Sequence, residues 1–387
     1  MYKIKTYNKI APVGLNTFTG RYEINAEETA PDAILVRSAD LHEMPVNPEL
    51  KAIARAGAGV NNIPVAEMSE KGIVVFNTPG ANANAVKELV LLGMLMASRP
   101  VYESLNYTAT LNPDDDVEKL VEKEKSKFKG NEIYGKTLGV IGLGAIGVKV
   151  CNAAADLGMK VIGFDPYMSV KSAWMLNTHV RHGDSIEQIC RECDYISIHV
   201  PLNDKTRGMI GERELSLMKP TAVLLNMARG GIVDEAEVVE MLAEDKLAKY
   251  VVDFPSKTVI RQKNVIAIPH LGASTDESED NCAVMAAEEL MDFLENGNVT
   301  NSVNLGTISM PRSGEARITI FHHNVPNMLA QISEAVSREH INIENMMNKS
   351  KGDYAYTIVD VGTADNLDTV IGNLENINSV LRVSLYK

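Results

Sequence analysis

The chain has 387 residues, and a typical domain size of about 150 residues therefore predicts two or three domains. Hydrophobic residues make up 45% and charged residues 23% of the chain, which excludes collagen-like, mucin-like and low-complexity proteins. The chain has 38 Lys and Arg residues but 51 Asp and Glu residues, so its net charge is −13. Such a surface repels nucleic acid and anionic lipid. An anionic ligand therefore needs a locally basic site.

The sequence favours a cytoplasmic protein without a structural metal. Its longest apolar stretch, residues 89–97, is much shorter than the ~20 residues that span a membrane, and no secretory signal is visible. Four cysteines cannot form a disulfide framework. Cys190 and Cys193 form a CxxC motif without a second pair, which favours core packing over zinc or redox chemistry.

The first part of the chain alternates short apolar runs with helical patterns, which indicates a parallel sheet in an α/β unit. Apolar runs at 33–36, 50–55 and 73–76 precede a helical pattern at 86–97. The charged stretch at 112–130 is typical of a solvated surface helix.

From Lys136 onward, six apolar runs alternate with helical segments, the pattern of a doubly wound Rossmann-type sheet. The predicted strands are residues 138–141, 161–164, 195–200, 222–226, 250–252 and 265–268. Ser274 and Glu277 then form an SxxE pattern, which predicts a capped helix that ends at Asn296. After a turn-rich linker, the part from Arg317 has the βαββαβ order of a ferredoxin-like domain.

Residues 142–147 read GLGAIG, a GxGxxG motif between a predicted strand and a predicted helix. Gly142 permits a tight turn, Gly144 permits close approach of a pyrophosphate, and Gly147 permits close packing of helix on strand. Asp165 ends the next strand, close to the spacing of ~20 residues expected for an acid that binds the ribose. An acid there repels a 2′-phosphate, so the motif predicts NAD rather than NADP. The alternative is a glycine turn followed by a chance aspartate.

Ionisable side chains follow several of the predicted strands, at the edge where open α/β sheets bind ligands. They are Asp165, His199, Arg229, Asp253 and His270. Each of them has a structural explanation by itself, such as an arginine that caps carbonyl groups. Their joint occurrence on one edge predicts an active site.

Four segments together resemble the NAD-dependent dehydrogenases specific for the D-isomers of 2-hydroxy acids. They are AGVNNI at 58–63, GLGAIG at 142–147, NMARGG at 226–231 and PHLG at 269–272. The resemblance implies a Rossmann-type cofactor domain inserted in a flavodoxin-like α/β substrate domain. The implied boundaries are 1–97 with 274–302 for the substrate domain, 98–273 for the NAD-binding domain, 303–316 for a linker and 317–387 for an ACT domain, a small amino-acid-sensing module.

The resemblance also implies roles for matching residues. Arg229 would bind the substrate carboxylate through its planar fork of donors. His270 would accept the hydroxyl proton while a hydride leaves carbon 2 for the nicotinamide. Backbone amides of Gly57, Ala58 and Gly59 would bind the carboxylate. Asp253 would meet the carboxamide of the cofactor, and Pro201 would line the nicotinamide; the other implied cofactor contacts are Gly142, Gly144, Ala145, Ile146, Gly147, Asp165, Val200, Thr206, Met227, Ala228, Gly272 and Ala273.

The sequence departs from the family pattern at one catalytic position. The family orients its histidine with a glutamate shortly after the strand that ends near Asp253, whereas this chain reads Phe254-Pro255-Ser256-Lys257. A lysine there would destabilise the imidazolium form of His270 rather than stabilise it. Three explanations stay open: another acid substitutes, His270 works without one, or Lys257 joins the site.

Two further segments narrow the substrate. Arg37 and Ser38 lie where phosphoglycerate-oxidising members of the family hold a phosphate, although an exposed strand-end arginine is the alternative. In the ACT-like part, His322, Asn324 and Asn342 match ligand positions of serine-binding members. The resemblance thus implies NAD-dependent oxidation of D-3-phosphoglycerate to 3-phosphohydroxypyruvate, the first step of L-serine biosynthesis, with L-serine as a regulator.

Two alternatives remain. The first is a dehydrogenase for another D-2-hydroxy acid, such as glycerate, 2-hydroxyglutarate or lactate. The second is a non-enzymatic NAD-sensing scaffold, which the missing glutamate favours and the presence of Arg229 and His270 disfavours. Exposed sheet edges and the small terminal domain predict a homodimer or a higher homo-oligomer.

Overall fold

The computed structural model describes all residues from Met1 to Lys387. The chain divides into two compact units, one of which is discontinuous. The first unit consists of Met1–Asn82 and Asp276–Lys387, and the second of Ala83–Thr275. No helix of the chain is both long enough and apolar enough to cross a membrane.

The amino-terminal part of the first unit is a parallel five-stranded sheet. Its elements are β1 (Tyr2–Tyr7), α1 (Pro12–Leu15), β2 (Tyr22–Ile24), β3 (Ala33–Val36), β4 (Ala52–Arg55), α2 (Val65–Glu70) and β5 (Val74–Asn77). The strand order β2-β1-β3-β4-β5 is that of flavodoxin-like folds. Every residue of β3 is buried, because Ala33 and Leu35 enter a core on one face while Ile34 and Val36 enter another.

The second unit is a parallel seven-stranded sheet flanked by helices. Its elements are α3 (Ala83–Ser98), α4 (Val101–Thr108), α5 (Val117–Glu124), a 3₁₀ turn (Lys125–Phe128), β6 (Thr137–Ile141), α6 (Ala145–Asp156), β7 (Lys160–Phe164), α7 (Val170–Met175), β8 (Arg181–His182), α8 (Ile186–Glu192), β9 (Tyr195–Ile198), α9 (Glu212–Leu215), β10 (Val223–Asn226), α10 (Glu235–Ala243), β11 (Lys249–Val252) and β12 (Val265–Ala267). The order β12-β11-β10-β9-β6-β7-β8 contains the Rossmann order and confirms the predicted doubly wound fold.

Helix α3 belongs to the second unit, although the sequence placed residues up to 97 in the substrate domain. Val86, Val90 and Met94 of this helix enter the same core as Val140 of β6 and Leu225 of β10. The division in the structure therefore comes one helix earlier than the boundary expected at residue 97.

The chain returns to the first unit through the 21-residue helix α11 (Asp276–Asn296). Ala286, Leu290 and Phe293 of α11 pack in one core with residues of the five-stranded sheet. The helix begins at Asp276, so Thr275 rather than Ser274 immediately precedes it. The helix start expected from the SxxE pattern is therefore wrong by one residue.

The carboxyl-terminal part is a βαββαβ domain, as predicted. Its elements are β13 (Ala316–His323), α12 (Met328–Ser337), β14 (Ile343–Lys351), β15 (Tyr354–Val361), α13 (Leu367–Glu375) and β16 (Val380–Tyr386), in an antiparallel sheet of order β14-β15-β13-β16. One face of this sheet packs with α12 and α13. The other face places Phe321, Tyr356 and Ile358 in the core of the amino-terminal sheet and α11.

A buried ion pair joins this domain to the end of α11. Arg317 and Asp360 are both fully buried, and the guanidinium donates to both carboxylate oxygens of Asp360 at 2.6 and 2.9 Å. The same guanidinium donates to the carbonyl oxygens of Asn296, Met310 and Pro311 at 2.9, 2.8 and 3.0 Å. Arg317 therefore links the domain to the last residue of α11 and to the linker.

All four cysteines are buried and free. Burial raises the pKa of both Cys190 and Cys193 to about 12, which keeps these thiols protonated at neutral pH. No group of three or more His, Cys, Asp or Glu side chains in the chain is arranged to hold a metal ion.

Candidate active site

The GxGxxG loop between β6 and α6 has the geometry of an open dinucleotide cradle. Gly142 has a φ of 96°, and a Cβ at Gly147 would lie 1.9 Å from the carbonyl oxygen of Gly142. Both positions therefore require glycine. A Cβ at Gly144 would meet no atom within 4 Å, so the start of α6 is open to an approaching pyrophosphate.

Asp165 lies directly beside this loop. Its carboxylate accepts hydrogen bonds from the backbone amides of Leu143 and Tyr167, both at 2.8 Å. A carboxylate that accepts two amides keeps free lone pairs, which suit the hydroxyls of a ribose. The loop and Asp165 together fit NAD.

The other predicted cofactor residues lie after strands of the same parallel sheet, at its carboxyl edge. Ala145 and Ile146 open α6, and the rest follow β9 (Val200, Pro201, Thr206), β10 (Met227, Ala228) and β12 (Gly272, Ala273). Met227 and Gly272 are buried, while the others are at least partly exposed. The side chain of Thr206 donates to the carbonyl oxygen of Pro201 at 2.6 Å, which fixes the loop after β9.

Arg229 and His270 are both exposed, and both contact Phe254. The guanidinium carbon of Arg229 lies 5.2 Å from the centre of the Phe254 ring, a cation–π distance. The rings of Phe254 and His270 have centroids 4.3 Å apart. The amide of Asn226 holds the Arg229 loop through the Arg229 carbonyl and the Ala228 amide, at 2.9 and 3.1 Å. Phe254 therefore lies against both predicted catalytic side chains.

The backbone of His270 is in the left-handed region, with a φ of 54°. Asp253 holds this conformation, because its carbonyl oxygen accepts the His270 amide at 2.9 Å and its carboxylate accepts the amides of Leu271 and Gly272 at 2.7 and 2.9 Å. Burial raises the pKa of Asp253 overall, although these two amides oppose the shift. The expected contact of Asp253 with the cofactor stays a prediction, and the structure gives this carboxylate the additional task of holding His270.

The position of the missing glutamate is occupied by an exposed lysine. Lys257 makes no ion pair, and no carboxylate hydrogen-bonds the imidazole of His270. The neighbouring Ser256 hydroxyl donates to the carboxylate of Glu235, which also accepts from the hydroxyl of Tyr250 at 3.3 Å. Glu235 therefore fixes the loop that carries Phe254.

In the first unit, the predicted substrate residues gather at the carboxyl ends of β3 and β4. Arg37 follows β3, and Arg55, which the sequence analysis missed, ends β4. The Nε of Arg55 donates to the carbonyl oxygen of Arg37 at 2.9 Å. A Cβ at Gly57 would lie 2.5 Å from Arg55 Nη1, so the guanidinium lies directly against the glycine loop. β3 and β4 are neighbouring parallel strands, and Arg37 and Arg55 lie at their carboxyl ends. This shared position at the strand ends is the sequence signal that could have identified Arg55.

Hydrogen bonds from Asn77 and Thr78 hold the glycine loop in place. The side chain of Asn77 donates to the carbonyl oxygen of Ala58 at 2.5 Å, and the amide of Thr78 donates to the carbonyl oxygen of Gly57 at 3.1 Å. The amide of Ser38 is bound to the side chain of Asn8 at 3.0 Å, whereas the Ser38 side chain is exposed. This loop and the two arginines form a compact basic site in the first unit.

The predicted regulatory residues do not converge within one chain. His322 is buried, with Nε2 3.0 Å from the hydroxyl of Thr357, and burial lowers its pKa. His322 pairs with Ala355 at one end of β15, whereas Asn342 precedes the residue that pairs with Val361 at the other end. At ~3.4 Å per residue the two ends are about 20 Å apart. Asn324 lies near the His322 end, where its side chain donates to the carbonyl oxygen of Gly352 at 3.1 Å.

Comparison with known proteins identifies both domain types. Residues 93–272 match the NAD-binding domain of the D-isomer specific 2-hydroxyacid dehydrogenases, and residues 312–384 match the ACT domain. The predictions of NAD as the cofactor and of a carboxyl-terminal ACT domain are thereby confirmed.

The chain is similar over most of its length to enzymes named D-3-phosphoglycerate dehydrogenase. It is 35% identical to that of Methanocaldococcus jannaschii over 361 residues, which cover 90% of this chain and 67% of the relative. It is 31% identical to that of Bacillus subtilis over 318 residues, which cover 79% of this chain and 57% of the relative. The chain thus spans between about half and two thirds of the length of these relatives.

A solved structure has the same fold. The NAD⁺-bound 3-phosphoglycerate dehydrogenase of Entamoeba histolytica superimposes with a TM-score of 0.60 and 28% identity, over 78% of this chain and 98% of that chain. Together with the glycine loop and the Arg229 and His270 segments, these comparisons place the chain in the family of D-isomer specific 2-hydroxyacid dehydrogenases.

Proposed function

We propose that the protein oxidises D-3-phosphoglycerate to 3-phosphohydroxypyruvate with NAD, the first step of L-serine biosynthesis. The observation that carries this proposal is the basic site of Arg37 and Arg55 beside the Gly57 to Gly59 loop. Two guanidinium groups at one strand edge suit a phosphate, which carries close to two negative charges. The relatives named D-3-phosphoglycerate dehydrogenase support the same substrate.

In this reaction the substrate loses a proton from its hydroxyl and a hydride from carbon 2. The GxGxxG loop and Asp165 would hold NAD, which would supply the hydride acceptor. The imidazole of His270 accepts the hydroxyl proton, so that the bond between carbon 2 and oxygen becomes a carbonyl. Arg229 binds the carboxylate and the carbonyl oxygen through its fork of donors. Arg37 and Arg55 bind the phosphate of the substrate.

The local structure supports these roles. Phe254 contacts both Arg229 and His270 and limits the positions that the two side chains adopt. The carboxylate of Asp253 interacts electrostatically with both of them. In a chain that lacks the family glutamate, Asp253 is the acid that holds the backbone of the His270 loop.

The test is an assay of NADH absorbance with D-3-phosphoglycerate, D-glycerate, D-2-hydroxyglutarate and D-lactate. We expect the highest kcat/KM with D-3-phosphoglycerate and no turnover in His270→Ala. Arg37→Ala and Arg55→Ala should each lower kcat/KM for the phosphorylated substrate by roughly tenfold or more and leave D-lactate unaffected. Equal kcat/KM for all four acids, or NAD binding without turnover of any of them, would contradict the proposal.

The proposal extends to regulation, assembly and location. We propose that L-serine binds at the ACT domain, that the protein is a homodimer or a higher homo-oligomer, and that it acts in the cytoplasm. The ACT domain supports the first statement, and four buried, reduced cysteines support the last. Isothermal titration with L-serine and light scattering after gel filtration test the first two, and a flat titration or a monomer would contradict them.

A further inference from the structure

The first turn of α11 brings a carboxylate to the basic site of the first unit. Glu279 Oε1 lies 2.5 Å from Nη2 of Arg37, and both side chains are partly exposed, at 38% and 41%. This ion pair joins residues 242 positions apart in the sequence, and no motif predicts it. Glu279 is thus an acid at the site that the proposed function assigns to a phosphate.

The ion pair uses a small part of the hydrogen-bonding capacity of Arg37. A guanidinium has five N–H donors, and the hydrogen bond that those of Arg37 make to a side chain goes from Nη2 to Glu279. The backbone of Arg37 is fixed, because Arg55 Nε donates to its carbonyl oxygen. The backbone of Arg37 is therefore held by Arg55, and its guanidinium has Glu279 as a hydrogen-bonding partner.

We infer that Glu279 is an internal counter-ion, which occupies Arg37 when the site is empty and which the phosphate of the substrate displaces. The inference rests on the proposed function for the identity of the phosphorylated substrate. It makes Glu279 a positioning residue, because it acts on the substrate through Arg37.

Coulomb's law sets the direction of the effect. A phosphate close to this pair is attracted by Arg37 and repelled by Glu279. The ion pair must separate before all donors of the guanidinium can bind the phosphate. Glu279 therefore lowers the affinity for any ligand with an anionic tail. It also replaces the phosphate on Arg37 as the product leaves, which favours release.

A carboxylate that only oriented Arg37 would have the opposite effect. Removal of the carboxylate would free the side chain of Arg37. The substrate would then bind more weakly, because its binding would have to order that side chain at a cost in entropy. We expect the repulsion to dominate, because the phosphate carries nearly twice the charge of the carboxylate and the site is open to solvent. The sign of the change in KM distinguishes the two cases.

The decisive variant is Glu279→Gln, which keeps the size of the side chain and removes its charge. We expect KM for D-3-phosphoglycerate to fall by roughly three- to tenfold while kcat does not rise. KM for D-lactate, which has no anionic tail, should stay unchanged. Glu279→Asp, which keeps the charge, should have a KM closer to that of the wild type.

Glu277→Gln is the matched control. Glu277 lies in the same turn of α11, is exposed and makes no ion pair, so its neutralisation should leave KM unchanged. A fall in KM of the same size in Glu277→Gln would mean that the general surface charge causes the effect, and would overturn the inference. An unchanged or raised KM in Glu279→Gln would overturn it as well.

Titration of the wild type and of Glu279→Gln with inorganic phosphate separates this inference from the proposed function. Tighter binding of phosphate by Glu279→Gln supports the internal counter-ion even if D-3-phosphoglycerate is not turned over. Turnover of D-3-phosphoglycerate with equal binding of phosphate by the two proteins keeps the proposed function and removes the inference.

Discussion

Asp253 holds His270 by its backbone. The carbonyl oxygen of Asp253 accepts the amide of His270 at 2.9 Å, and its buried carboxylate accepts the amides of the next two residues. A left-handed conformation costs a residue with a side chain about 1–2 kcal/mol, so the loop needs such partners to present the imidazole. The aspartate directly after β11 therefore holds the loop of the histidine that we propose as the base.

Asp253→Asn should slow the reaction by loosening the loop that presents His270. The variant leaves one of the amides of Leu271 and Gly272 without an acceptor. We expect kcat to fall by roughly tenfold or more, because the imidazole is then held less precisely. The measurement is kcat in the NADH assay.

Asp245→Asn is a suitable control, because Asp245 is exposed in the same unit. It should leave kcat unchanged. An unchanged kcat in Asp253→Asn would show that the loop does not need the Asp253 carboxylate.

Phe254→Leu should weaken the reaction without abolishing it. Leucine fills part of the space but has no aromatic face for the guanidinium of Arg229 and no ring against His270. We expect kcat/KM to fall by about tenfold. Phe254→Tyr keeps the ring and should retain most of the activity. Equal activity of the Leu and Tyr variants in the NADH assay would count against a role of the ring.

The sequence predicted the three sheets because short apolar runs alternate with helical patterns in all three, and glycine motifs mark loops of the first two. It missed Phe254 and Glu279, since their importance arises from contacts with Arg229 and Arg37 that only the folded chain brings about. The domain boundary in the structure differs from the expected boundary at residue 97 for a similar reason. The apolar face of α3 does not specify on which of the two parallel sheets the helix packs.

Asp360→Asn should loosen the ACT domain from the rest of the first unit. Burial raises the pKa of Asp360, but hydrogen bonds from Arg317 and Ser313 outweigh it and lower the pKa below the usual range. The variant leaves the buried guanidinium of Arg317 without its counter-charge, which costs about 3–5 kcal/mol. We expect faster proteolytic cleavage between residues 303 and 316, measured by limited digestion. Asp365→Asn, at an exposed position of the same domain, should be cleaved like the wild type.

The same pair makes the domain sensitive to acid. A carboxyl with a lowered pKa contributes stability that is present at neutral pH and is lost as the pH falls through the folded-state value. Cleavage of the linker in the wild type should therefore accelerate at low pH. An Asp360→Asn protein that resists the protease as well as the wild type would show that the apolar contacts of Phe321 and Tyr356 hold the domain without the ion pair.

Glu289→Gln should stabilise the protein, and more so at higher pH. Glu289 is 7% exposed in the middle of α11, where one carboxylate oxygen accepts from Asn301 at 2.8 Å and the other has no partner. Burial raises the pKa of Glu289 from 4.5 to about 8. Because the unfolded chain releases this proton near pH 4.5 and the folded chain only near pH 8, the free energy of unfolding falls as the pH rises between these values.

The loss at pH 8 amounts to at most about 5 kcal/mol, and a glutamine of the same size avoids it. We expect the denaturation midpoint of Glu289→Gln to exceed that of the wild type by several degrees at pH 8 and by much less at pH 5. Asp280→Asn, which changes an exposed acid of the same helix, should match the wild type at both values. A gain of equal size at pH 5 and pH 8 would mean that the amide forms better hydrogen bonds, rather than that a buried acid has been removed.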